Sequence, residues 1–249
     1  MHSFVAISEI SKDVLKIATL TSTLPVNCIV IGEKAIGKNH LAKIIAPNAK
    51  IYGALDLQKA IKSKTLDLNT ISEIIILDIQ KLGSINQIIE AFEEKNIKVV
   101  ATSTQNRDSY KEFFQAHIEV PSLSERKEDV EFLKQEYINE AKRVFLLDDE
   151  VNNSIDIDLS NNAISLKKSV FRSLLFDSLT KNDIMNILER FLLKEFDNTS
   201  AYKELLHIFE KPLLKAGKQK YKSQLQMAKH FEINRNTLRK KFIENEIDE

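Results

Sequence analysis

Apolar residues fall into two kinds of pattern along this chain. Cys28–Ile31 (CIVI), Ile74–Leu77 (IIIL) and Val99–Thr102 (VVAT) are short, continuous, β-branched runs, which predict buried strands. Elsewhere apolar positions recur every three or four residues. That spacing predicts helices over Ser11–Leu20, Asn39–Ala46 and Ile85–Glu94, with a short strand or loop opening residues 4–24. Buried strands alternating with helices predict an α/β fold on a parallel sheet. After Pro121 the period stays helical, most clearly over Glu128–Phe145 and Lys181–Phe196.

Composition adds bounds to this picture. A length of 249 residues gives room for two or three compact domains. Hydrophobic residues at 43% and charged residues at 29% read as ordinary globular protein. No apolar run approaches the roughly 18 residues of a membrane span, and Met1-His2-Ser3 does not open a signal peptide. The single cysteine, Cys28, excludes an internal disulfide framework and predicts a reducing compartment, the cytoplasm; it opens an apolar run and reads as core. The net charge of zero hides an asymmetry. Lys211–Lys241 holds ten Lys and Arg against one acid, Glu232, whereas residues 1–200 hold 25 basic and 29 acidic side chains. A basic end on a near-neutral body predicts a polyanion partner for that end; a solvated basic helix is the plainer alternative.

Residues 32–38 carry candidate chemistry. Gly32-Glu-Lys-Ala-Ile-Gly37-Lys38-Asn39 follows a predicted strand and opens a predicted helix, the setting of a phosphate-binding loop. Loop N–H groups and the helix N-terminus would cradle phosphates, and Lys38 would reach the outer ones. Asn39 stands where a hydroxyl should ligate Mg²⁺, and Asp78, ending the IIIL run, stands where a carboxylate should hold that ion. Ile79 follows, so no carboxylate polarises an attacking water. Nucleotide binding (ATP or ADP) and a loop that merely turns the chain both fit; no catalytic residue or resident metal is expected.

The basic end predicts two short helices. Ser223 caps the first, with Gln226 completing a capping box, and Glu232-Ile233-Asn234 makes the turn. Asn234 caps the second, and Leu238 and Phe242 share its inner face with Ile233. Arg235, Asn236, Arg239 and Lys240 then point outward, suited to base edges and phosphates, with Thr237 and Lys241 suited to phosphate. Glu232 in a left-handed turn costs about 1–2 kcal/mol. Upstream, Tyr202, Leu205, Leu206, Phe209 and Leu213 form one apolar stripe, with Pro212 kinking or restarting the helix. The stripe packs within one chain or forms a two-fold dimer.

The order of these motifs resembles NtrC-type bacterial enhancer-binding proteins. GEKAIGK is similar to that family's GESGTGK, VVATSTQNRD to its sensor I strand, and Ile118–Val130 (IEVPSLSERKEDV) to the stretch leading into its lid. Glu210–Leu214 (EKPLL) and Ile233–Phe242 (INRNTLRKKF) resemble its Fis-type C-terminal domain. The resemblance implies an AAA+ α/β subdomain over residues 1–120, a helical lid over 121–198 with a sensor II position near Arg172, and an all-α helix-turn-helix domain over 199–249. It covers the machine incompletely. Only 39 residues separate Lys38 from Asp78, without the sigma-contact loop GAFTGA, and Tyr110–His117 holds no arginine finger. No receiver domain is expected upstream. The implied protein is a DNA-binding transcriptional regulator of the nucleoid, a homodimer through its C-terminal domain. Its AAA+-like domain would assemble or sense nucleotide without hydrolysing it, and no sigma-factor contact is expected. The alternatives are an active ATPase that remodels a transcription complex and a non-DNA-binding partner of a full-length homologue.

Overall fold

A computed structural model describes residues 4–63, 65–83, 85–147, 155–196 and 202–247. They form two compact units, Met1–Ser178 and Leu179–Glu249.

In the first unit the elements run α1 (Glu9–Ser22), β1 (Cys28–Ile31), α2 (Lys38–Ile45), β2 (Lys50–Gly53), α3 (Ala54–Lys62), β3 (Glu73–Leu77), α4 (Ile85–Glu93), β4 (Lys98–Ser103), α5 (Tyr110–Phe113), β5 (Ala116–Glu119), α6 (Lys127–Phe145) and α7 (Ala163–Ser178). The five strands make one parallel sheet in the order β2-β3-β4-β1-β5. The predicted runs are the three inner strands, and β2 and β5 flank them. Residues of a strand alternate between its faces, so each apolar run supplies both sides of the sheet. Ile29, Ile31, Ile74, Ile76, Val99 and Ala101 pack with Leu57 of α3 and Ile89 and Phe92 of α4. Cys28, Val30, Ile75 and Val100 pack with Val14 and Ala18 of α1 and Leu41, Ala42 and Ile45 of α2. Helices therefore cover both faces, as a parallel sheet requires. The Lys98 ammonium donates to the carbonyls of Thr21 and Ser22 at 3.3 Å and of Ile45 at 3.4 Å, so one cation serves the C-terminal ends of α1 and α2.

Beyond the sheet, α6 and α7 bury Val130, Tyr137, Ile138 and Ala141 against Leu166, Val170 and Leu174. Among the described residues the elements of the second unit are all helices: α8 (Lys181–Glu195), α9 (Tyr202–Lys220), α10 (Gln224–His230) and α11 (Arg235–Glu244). Thus α8, within the interval expected for the lid, falls in the C-terminal unit. Helix α9 runs through Pro212 as one element rather than restarting there. Among the described residues no helix is long and apolar enough to cross a membrane.

Candidate functional site

The loop after β1 turns sharply, and glycine permits it. Gly32 has φ +148° and Gly37 φ +103°. A Cβ at Gly32 would lie 2.5 Å from the Val120 carbonyl oxygen, and one at Gly37 would lie 2.6 Å from the Phe4 ring. Ala35 adopts a left-handed φ of +58° without that freedom, at a cost of about 1 kcal/mol. Side chains and one backbone N–H engage the loop carbonyls. Lys38 donates to Gly32 O at 2.8 Å and to Glu33 O, Asn162 Nδ2 to Lys34 O at 3.1 Å, and Arg126 Nη2 to Ile36 O at 3.1 Å. The Ala163 N–H reaches Ala35 O at 3.4 Å. Desolvation lowers the pKa of the buried Lys38 ammonium, while Asp78 and Glu33 work to raise it.

A cavity of about 300 Å³ opens beside this loop. Gly37, Lys38 and Asn39 line its phosphate-loop side; Phe4, Leu133, Tyr137 and Ala163 give it apolar walls. Neither Gly32, whose carbonyl accepts from Lys38, nor Asp78 lines the cavity. Asp78 ends β3 in a left-handed conformation, φ +56° and ψ +49°. Its N–H donates to Thr102 Oγ1 at 3.1 Å, and its carboxylate meets the Lys81 ammonium at 2.7 Å. That hydrogen bond is the first cause of the carboxyl's pKa lying below its usual value. The next side chain, Ile79, is fully buried in the apolar layer under the sheet. The sequence position of a hydrolytic carboxylate is therefore a core position. Arg172 is exposed and does not line the cavity.

The segment Glu125–Asp129 secures the cavity's rim. Asp129, fully buried, accepts from the Ile7 and Ser8 N–H groups at 2.8 Å each and from the Ser11 hydroxyl. Arg126 reaches Asp129 at 3.4 Å and lies over the Phe4 ring. Asn162 Nδ2 donates to Glu33 at 2.7 Å, and its carbonyl accepts from Leu123 N–H at 2.7 Å. These residues tie the start of the chain, the loop and the α6–α7 pair together. The roles of Phe4, Tyr137, Asn162 and Lys81 carry no sequence signal of their own, because their partners lie in other elements or depend on how the turn folds.

In the C-terminal unit the Asn234 side chain accepts from Asn236 N–H at 2.8 Å and caps α11. The Ser223 hydroxyl accepts from Gln226 N–H and caps α10. Leu238 and Phe242 are buried with Leu214, Met227 and Ala228, and Ile233 packs against them. Arg235, Asn236, Thr237, Arg239 and Lys240 are exposed on α11. Lys241 differs from them: half-buried, it pairs with Glu210 and braces α11 against α9. Glu232 takes the left-handed turn, at φ +52°.

The first unit is an α/β fold, a five-stranded parallel sheet with helices on both faces. Solved structures resemble the chain. NtrX from Brucella abortus in complex with ATP has a TM-score of 0.57 at 12% identity, over 97% of this chain and 68% of that one. The same protein in complex with ADP has a TM-score of 0.58 at 14% identity, over 95% and 67%. No protein-family model and no curated protein sequence matches the chain.

Proposed function

We propose that the chain is a DNA-binding transcriptional regulator of the cytoplasmic nucleoid, with an AAA+-like unit that binds ATP or ADP without hydrolysing it. The exposed polar face of α11 carries the DNA reading. Arg235, Asn236, Thr237, Arg239 and Lys240 face solvent while Leu238 and Phe242 anchor the helix, and the surrounding Lys211–Lys241 segment is strongly basic. Arginine forks onto guanine, asparagine onto adenine, and lysine neutralises phosphate. Lys241, held by Glu210, orients α11. The test is a mobility-shift assay on operator-length duplexes. Arg235→Ala with Arg239→Ala abolishes retention, and the wild type loses affinity with a log–log salt slope of about −0.9 per phosphate neutralised. Unchanged retention by the double variant refutes the reading and favours a protein partner instead.

Two apolar faces support a homodimer through the C-terminal unit. Ile184, Ile187 and Phe191 on α8, with Tyr202, Phe209 and Leu213 on α9, are all exposed. A second copy that covered them would present two α11 helices to a pair of DNA half-sites. Nucleotide binding is supported by the cavity beside the glycine turn and by neighbours of the same fold crystallised with ATP and ADP. Absence of turnover is supported by the buried Ile79.

A further inference from the structure

A phosphate loop of this kind ordinarily works with Mg²⁺, held by a hydroxyl at the end of the loop and a carboxylate on the neighbouring strand. Mg²⁺ demands a near-octahedral shell of oxygens and gives up its waters reluctantly. The residues here do not fit it. Asn39 offers an amide in place of the hydroxyl and is exposed. The Asp78 carboxylate is already engaged by an ammonium at 2.7 Å. A cation arriving at Asp78 would have to displace Lys81 and then stand beside two like charges, Lys81 and Lys38. Ile79, the next side chain along, is withdrawn into the core.

Elsewhere Mg²⁺ solves an electrostatic problem. A polyphosphate brings several negative charges into a partly apolar cavity, and something must neutralise them. Lys38 sits in the loop itself, and the Asp78 carboxylate is near enough to influence its titration. Lys81 is fixed on that same carboxylate by the turn after β3. Its half-exposed ammonium therefore occupies the carboxylate that would otherwise take a cation. Resting on the nucleotide reading above, we propose that this site binds nucleoside di- and triphosphates without a divalent cation: Lys81 neutralises Asp78, which leaves the Lys38 ammonium as the counter-charge for phosphate.

Calorimetric titration of the full chain with ATP and with ADP, in EDTA and in excess Mg²⁺, tests this. The wild type is expected to bind in EDTA, with Mg²⁺ changing the dissociation constant by less than about threefold. Lys81→Ala, a surface change, should weaken binding in EDTA by about tenfold or more. It should also create a Mg²⁺ requirement, because Asp78 is then free to hold the ion. A wild type that tightens by about tenfold or more on addition of Mg²⁺ overturns the inference while leaving the nucleotide reading intact. So does Lys81→Ala binding in EDTA as tightly as wild type. No binding under either condition overturns the nucleotide reading itself, and the inference with it.

Discussion

Replacing Asp129 by alanine should cost the first unit more stability than any surface change. The carboxylate is fully buried and serves five donors: the Ile7 and Ser8 N–H groups at 2.8 Å, the Ser11 hydroxyl, and the Ser8 hydroxyl and Arg126 at 3.4 Å each. Arg126 is itself only 2% exposed, and its Nε has no partner among the described residues. Burial already pushes the guanidinium pKa down, with Asp129 opposing that shift. Asp129→Ala therefore leaves a buried cation uncompensated, which costs about 3–5 kcal/mol. The stranded Ile7 and Ser8 donors put the total toward the top of that range. For a unit of this size each kcal/mol moves the midpoint by about 2–4 °C, so the transition should fall by at least roughly 6 °C. Differential scanning calorimetry of the full chain reads it. Arg126→Met alone should cost less, because Asp129 keeps its four donors from Ile7, Ser8 and Ser11. The double variant should be more stable than the sum of the singles by about 0.5–3 kcal/mol. A shift under about 2 °C for Asp129→Ala, or strict additivity, would refute the argument that this pair is coupled.

Three further outcomes follow from the geometry. Ile79→Glu should create no phosphate release above background and should destabilise the first unit by about 3 kcal/mol or more, because the new carboxylate enters an apolar layer rather than the cavity; activity gained without loss of stability contradicts this. Glu232→Gly should stabilise the C-terminal unit by about 0.5–1 kcal/mol, since it relieves a left-handed φ of +52°, seen as a raised urea midpoint. Burial holds the Lys38 pKa below its usual 10.5, so between those values the folded unit holds fewer protons than the unfolded chain and stability rises with pH. Bound phosphate favours the charged form, so ATP affinity should fall as pH rises through the depressed pKa; flat affinity up to the ordinary lysine range would exclude a role for Lys38.

The three inner strands were legible because both their faces are buried: CIVI, IIIL and VVAT have no polar side to interrupt the run. The outer strands were not. β2 reads KIYG and β5 reads AHIE, and each leaves much of its length exposed. A half-covered edge of four residues carries too few apolar positions to separate from a loop. Helix caps at Ser223 and Asn234, and the left-handed Glu232, were legible for the opposite reason: each depends on neighbours within a few residues.

The same distinction divides the candidate site. The loop from Gly32 to Asn39 is local chemistry and could be found by spacing alone. What the site can do depends on contacts that spacing does not encode. Asp129 meets residues more than a hundred positions away, and Asn162 meets Glu33 across 129 positions. Lys81 is a case between these extremes. It lies three residues beyond Asp78, yet three residues bring two side chains together only if the chain leaves the strand in a tight turn. The left-handed Asp78 and the single 3-10 turn over Ile79–Lys81 make that turn. The same backbone choice sends Ile79 into the core. One local conformation therefore removes the position of a hydrolytic carboxylate and brings in an ammonium. On the function proposed above, absence of turnover and independence from Mg²⁺ would then be two consequences of a single turn.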